Sequence, residues 1–208
     1  MKEVTPYKSE SAALESLDNG GRFYNVLTQA NDGEITSAEL SKVAGAFSSK
    51  QDMNLYLEMS LADLENKAAI LSSLSIELRD TYQRYAPHCL TVSSAMRFND
   101  FGSTAVINGT PKYIDSKSTF SGFIMVPIMT GNVTTFSMIP IMDQYDVYEL
   151  STEDSSDTFL LAHARSENKL TETETRFGGY LRELQKDEAG SEHQIYLELK
   201  YYTPMLKT

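Results

Sequence analysis

The hydrophobic pattern changes its period at Pro87, and that switch constrains the fold more than any other feature of the chain. From about residue 10 to residue 86, apolar residues recur at spacings of three and four, which collects them on one face of a helix. Beyond Pro87 they alternate at a spacing of two. The punctuation there becomes Asn-Gly, Gly-Asn, Gly-Gly and Pro, the turn chemistry of strands. A chain of 208 residues written in this way predicts an α+β protein with two parts. The first is an N-terminal helical bundle over residues 1–90, the second a C-terminal antiparallel β-barrel or sandwich over residues 91–208.

Within the helical part, Thr36 and Glu39 have the spacing of a capping box, so a helix begins near Ser37. Ser49 and Asp52 repeat that spacing, which ends one helix near Phe47 and starts another near Lys50. Leu57, Leu61, Leu64, Ala68, Leu71, Leu74 or Ser75, Leu78, Tyr82 and Tyr85 then form one apolar stripe, read as a single continuous helix that Pro87 terminates. Such a stripe buries itself within a bundle or along a dimeric coiled coil.

Within the second part, Asn108-Gly109 reads as the turn of a hairpin, because both central positions of a type I′ turn take positive φ. Further strands are expected at residues 120–130, 133–142, 145–150, 158–165, 171–184 and 194–202. In the last of these Ile195, Leu197, Leu199 and Tyr201 share one face, and Tyr196, Glu198, Lys200 and Tyr202 the other.

Residues 123–143 state nearly the same phrase twice: Met125-Val126-Pro127-Ile128-Met129, a turn, then Met138-Ile139-Pro140-Ile141-Met142. With Gly131-Asn132 as a two-residue loop, Thr130 faces Val133 and both phrases fall into register. One face then carries Phe123, Met125, Pro127, Met129, Phe136, Met138, Pro140 and Met142; the other carries Ile124, Val126, Ile128, Val133, Ile139 and Ile141. The aliphatic face suits the interior of a barrel or sandwich. The Met/Phe face is a softer contact surface, expected to be covered by the helical half of the chain, by a second subunit or by an apolar ligand or peptide. Phe123, Met125, Met129, Phe136, Met138 and Met142 are therefore the candidate binding surface. Proline has no N–H to give to a ladder, so Pro127 and Pro140 belong at sheet edges or bends.

Composition limits the chemistry. The formal charge is −11 and both halves are net acidic, which disfavours nucleic acid as a partner. Cys89 is the only cysteine, so there is no intramolecular disulfide and no cysteine-based zinc site. A reducing, cytoplasmic setting follows from that usage. The N-terminus has no apolar signal region, and no apolar run is long enough to span a membrane. Asn108-Gly109-Thr110 and Asn132-Val133-Thr134 match the glycosylation sequon but read as turn chemistry.

Motifs that carry chemistry are sparse. The stretch Asn31-Asp32-Gly33-Glu34-Ile35-Thr36-Ser37-Ala38-Glu39-Leu40 resembles the second half of an EF-hand loop, and also the Asp-Gly-Glu helix start of the TerB-like helical family of tellurite-resistance proteins. The resemblance implies a calcium-responsive regulator with Asp32, Glu34 and Glu39 as candidate ligands. Thr28 and Ala30, however, stand where the leading carboxylates of such a loop belong. Asp143, Asp146, Glu149, Glu153, Asp154 and Asp157 are numerous enough to suggest a divalent cation, but they are spaced like a solvated rim and lack a glycine turn.

His88 and Cys89 are neighbours in an extended segment and point to opposite faces, so they do not form a dyad. His163 and His193 sit in no recognisable motif, and hydrolase, nucleotide-binding and dinucleotide-binding patterns are absent. The strand succession from residue 120 onward, with the glycine pair of Arg176-Phe177-Gly178-Gly179-Tyr180 supplying a bulge, resembles an OB-fold barrel. That resemblance implies aromatic platforms, for which Tyr180, Tyr196, Tyr201 and Tyr202 are available, although few bases flank them in sequence. The sequence thus points to a non-enzymatic binding or assembly protein without a cofactor, acting on protein or on itself. A calcium-responsive regulator and an enzyme with a scattered site are the alternatives.

Overall fold

The computed structural model describes residues 1–20, 30–114, 122–130, 133–165, 169–184 and 194–205. It is a mixed α+β chain in two compact units, Lys2–His88 and Cys89–Thr208, the second also taking in Met1.

The first unit holds a two-residue strand, β1 (Lys2–Glu3), and helices α1 (Glu10–Leu17), α2 (Ser37–Ala44), α3 (Lys50–Ser60), α4 (Lys67–Ser72) and α5 (Ile76–Tyr85). Both bonds of the expected capping box are present: Glu39 N–H donates to Thr36 Oγ1 at 3.3 Å, and Thr36 N–H to Glu39 Oε2 at 2.8 Å. Gly45 ends α2 at φ +94, a conformation that favours glycine, and Ser49 caps α3 through Asp52 N–H. Asp52 to Ser60 are buried without interruption, so α3 is the central helix of this unit.

The long stripe from Leu57 to Tyr85 is not one helix. It breaks after Ser60 and again after Ser72, with Ser75 capping α5 through Leu78 N–H at 3.3 Å. The breaks rotate the chain between segments: Ile70 is buried, whereas Ala68 of the stripe is exposed. They also let Ile35 pair with the Ser73–Ser75 backbone in a single bridge, with bonds of 2.7 and 2.8 Å. A straight helix has no free carbonyl or N–H to offer at such a point.

The second unit follows β2 (His88–Leu90) with a short helix, α6 (Val92–Ala95), and strands β3 (Thr104–Tyr113), β4 (Phe123–Thr130), β5 (Val133–Pro140), β6 (Tyr145–Thr152), β7 (Ser155–Ala164), β8 (Thr175–Leu184) and β9 (Gln194–Pro204). The turn-like helix α7 (Ile141–Gln144) joins β5 to β6. The expected hairpin at Asn108-Gly109 is a correction: β3 runs straight through both residues. Gly109 is needed there because the strand changes partner. Thr104 to Gly109 pair with β8, and Thr110 to Tyr113 with β6. A Cβ on Gly109 would lie 2.7 Å from the Ser151 carbonyl oxygen and 2.9 Å from the Leu150 side chain.

The expectation of a purely antiparallel sheet is also corrected. The pairings β3·β6, β6·β7, β7·β9, β9·β8 and β8·β3, followed in turn, return to their start. A circuit with an odd number of strands cannot alternate direction throughout, and the parallel pair falls at β7·β9. All five strands feed one core cluster, which includes Ala105, Ile107, Tyr148, Leu150, Phe159, Leu161, Phe177, Leu181 and Leu197, with Val92 and Ala95 of α6 against it. The β8/β9 register shifts between Gly178 and Gly179, the expected glycine bulge. It skips Lys200, so Tyr202 turns toward the core instead of sharing the face of Tyr196.

Candidate functional site

The ribbon β4–β5 is the most unusual element of the second unit. Its register is the expected one, with Thr130 opposite Val133, Met125 opposite Met138 and Pro127 opposite Phe136. The Gly131-Asn132 loop itself lies outside the described residues. Ile141 N–H donates to Gly122 O at 2.9 Å, which fixes the phase of the ladder. In an antiparallel pair hydrogen-bonded and open positions alternate. Counted from that bond, Ile124 and Val126 point their backbone groups across the ribbon, while Phe123, Met125, Pro127 and Met129 on β4, and Phe136, Met138 and Pro140 on β5, point theirs outward. Each proline thus removes a donor from one outer edge. This is where an edge strand tolerates proline, and it hinders a further strand from adding there.

The two faces differ in burial. Ile124, Ile141 and Met142 join a second cluster with Val147, Leu160, Ala162, Leu184 and Tyr196, with Val126 and Ile139 packed against it. These partners lie on the faces of β6 to β9 that point away from the first cluster. The aliphatic face of the ribbon therefore packs in a core cluster of its own, on the sides of these strands opposite the first cluster. On the other face Met125, Met129, Phe136 and Met138 are 46, 77, 63 and 46% exposed. Within the second unit this face is therefore the open one. Met142 is not part of it: at 5% exposure it sits in α7, where the helical turn carries its side chain into the second cluster.

At the root of the ribbon lies a groove of about 710 Å³, where Ile124 to Pro127 face Tyr145, Arg182 and Glu198. Arg182 Nε donates to Glu198 Oε2 at 2.8 Å, and Tyr145 meets Tyr196 edge-on at 6.4 Å between ring centres. Burial and the neighbouring Glu198 raise the Tyr145 phenol above its usual range. Of the tyrosines proposed as platforms, Tyr180, Tyr196 and Tyr201 are buried. Tyr180 has Arg182 at 5.1 Å and Lys200 at 5.7 Å from its ring, bases that strand pairing brings near and the linear sequence does not show.

The carboxylates of the first unit hold its turns. Glu39 is buried and accepts from Thr36 N–H, Thr36 Oγ1–H and Gly20 N–H, the last at 2.6 Å. Asp18 accepts from Asp32 N–H and Gly33 N–H. Asp32 Oδ1 accepts from Glu34 N–H, and Glu34 is exposed. Among the described residues, no three metal-ligating side chains come together. Thr28 and His193 lie outside the described residues.

The acidic stretch divides. Asp143, Glu149, Glu153 and Asp154 are exposed, whereas Asp146 is buried and bonded to Lys169 Nζ at 2.7 Å. Lys169 also lies 3.7 Å from the centre of the Tyr113 ring. Beside this pair, His163 Nδ1 is 2.8 Å from Ala164 O, Tyr148 Oη is 3.5 Å from His163 Nε2, and Leu170 N–H donates to Tyr148 Oη at 3.2 Å. His163 is opposite Asp146 in the β6/β7 register. Nothing in sequence joins residues 113, 146, 148, 163 and 169; their association depends on that register.

This network fastens the Lys169–Leu170 segment to the ends of β6 and β7. Burial lowers the His163 pKa below 6.5, so the ring is held neutral. As pH falls below 6.5, the unfolded chain takes up the proton first and stability drops until pH passes the folded pKa; above 6.5 the contribution is constant. Thermal melts should show this loss in wild type and lack it in His163→Gln, beyond the acid titration of carboxylates that both share.

No known protein-family model matches the chain, and no curated protein is significantly similar to it.

Proposed function

We propose that the chain is a non-enzymatic binding or assembly protein whose second unit is a closed, OB-like five-stranded barrel, with the Met/Phe face of the ribbon as its interaction surface. Three observations support the barrel: the returning circuit of pairings, the single core to which every circuit strand contributes, and the ribbon's place between the first two strands of that circuit. The binding role rests chiefly on the asymmetry of the ribbon, one face in a core cluster and the other exposed. Exposed apolar side chains gathered on one rigid element mark an interaction surface more often than scattered ones do.

Methionine suits such a surface because its unbranched thioether adapts to a partner's shape. The net charge of −11 favours a protein partner over nucleic acid. If the face serves a partner and not the fold, Phe136→Ala should shift unfolding by less than about 0.5 kcal/mol. A loss of about 2 kcal/mol or more in a denaturant titration would instead place Phe136 in a packed core and remove the basis of this reading.

A further inference from the structure

We infer that the groove at the root of the ribbon takes a short extended peptide of another protein, added along the free edge of β4, with a basic residue between two apolar ones. This goes beyond the Met/Phe face and does not depend on that face being an interaction surface.

Four consecutive residues of β4, Ile124 to Pro127, line the groove, and among the described residues none of β5 does. Neighbours in a strand point to opposite faces, so a cavity that touches four in a row runs along the strand's edge. One edge of β4 is bonded to β5, and the groove therefore follows the other. There the phase of the ladder turns the Met125 N–H and C=O and the Pro127 C=O outward. Among the described residues none of these groups is hydrogen-bonded across that edge. One donor and two acceptors spaced along an open cleft are what a second main chain in extended form complements. An antiparallel guest would make three of four ladder bonds with these two residues, since Pro127 withholds the fourth. The edge thus suits a few residues of peptide and not a full strand. The groove's volume of about 710 Å³ is that of a ligand site.

Alternation decides which side chains the guest carries. Residues opposite Met125 and Pro127 lie on the open side of the ribbon, beside those two apolar side chains, and are themselves apolar. The residue between them points the other way, as Ile124 and Val126 do, toward Tyr145, Arg182 and Glu198. The charged lining is Arg182, Glu183 and Glu198, one base against two acids, and Arg182 is already paired with Glu198 at 2.8 Å. A basic side chain complements that excess, and the net charge of −11 attracts it at longer range. An acidic one adds like charge.

Backbone amide NMR shifts of the full chain, titrated to about 1 mM with the blocked pentapeptide Val-Lys-Val-Lys-Val, test this. Saturable shifts should appear at Met125, Val126, Arg182 and Glu198. Val-Glu-Val-Glu-Val should bind more weakly by about tenfold or more. N-methylation of the valines removes the donors that face β4 and should abolish binding, whereas N-methylation of the lysines, whose N–H groups point away, should weaken it less. Met125→Pro removes the one donor of the edge at an outward position of the kind Pro127 and Pro140 already occupy, and should weaken binding by about tenfold. The methylated peptides read the same bond on the unmodified chain and so guard against misfolding of that variant. No shift at about 1 mM, or shifts confined to residues away from the groove, overturns the site. Equal binding of the basic and acidic peptides overturns the charge preference, and unchanged binding after valine methylation overturns strand addition.

Discussion

Gly179→Ala is expected to be the most damaging single substitution in the second unit, at about 3–5 kcal/mol. A Cβ at this position would lie 2.3 Å from the carbonyl oxygen of Glu198 and 2.9 Å from both its carbonyl carbon and Leu197 Cγ. The nearest obstacle is backbone, so no side-chain rotation relieves it. Glu198 cannot withdraw without disturbing its partners, because β9 pairs with β8 on one side and β7 on the other, with Ala162 aligned to Glu198. The register shifts at Gly178/Gly179, and the absence of a side chain at Gly179 is what lets the Glu198 backbone lie so near. Equilibrium denaturation of the variant should show a much earlier midpoint. A cost under about 1 kcal/mol would mean that the strands do not meet there as described.

Phe177→Ala, two residues earlier, should cost about 3–5 kcal/mol for a different reason. Phe177 is fully buried in the first core cluster, to which all five circuit strands contribute. Its removal leaves a cavity lined by residues of several strands, none free to collapse inward without breaking its own ladder. The informative comparison is with Phe136→Ala, the same chemical change on an exposed side chain. A cavity appears in the first case and not in the second. Denaturant midpoints for the pair should therefore differ widely, and similar midpoints would contradict the assignment of one phenylalanine to a core and the other to a surface.

What the sequence revealed follows from how local each signal is. The capping box at Thr36 and Glu39 and the serine cap before α3 involve residues three apart, and both are present. The ribbon register was readable because a two-residue loop fixes every pair beyond it. Non-local information was not readable. Asn108-Gly109 has the composition of a turn, but its glycine serves a change of partner from β8 to β6, strands that lie far along the chain. The Leu57 to Tyr85 stripe has correct helical spacing, yet it breaks after Ser60 and again where the Ser75 cap and the Ile35 bridge divide it. Periodicity alone records no such break.

The candidate site divides in the same way. Alternation placed Met125, Met129, Phe136 and Met138 on a common face, and it predicted the aliphatic face opposite. The stiff rotamers of the aliphatic face pointed to a packed interior, and adaptable methionine on the other face pointed to a contact surface. Met142 was misplaced because β5 ends at Pro140, after which a helical turn changes the direction of its side chain. The cluster of Asp146, Tyr148, His163 and Lys169 was missed because only strand pairing and the segment after β7 assemble it.

The central claim is that the ribbon buries one face and leaves its Met/Phe face open. Limited oxidation by hydrogen peroxide, at a protein concentration low enough to keep copies apart, reads this directly when each methionine is quantified by mass spectrometry. The expected order has Met129 fastest, with Met125 and Met138 next, and Met142 and Met59 strongly protected, following their exposures of 77, 46, 46, 5 and 0%. Protection of Met129 and Met138 equal to that of Met59 would show the face to be covered within the single chain, and would contradict the account.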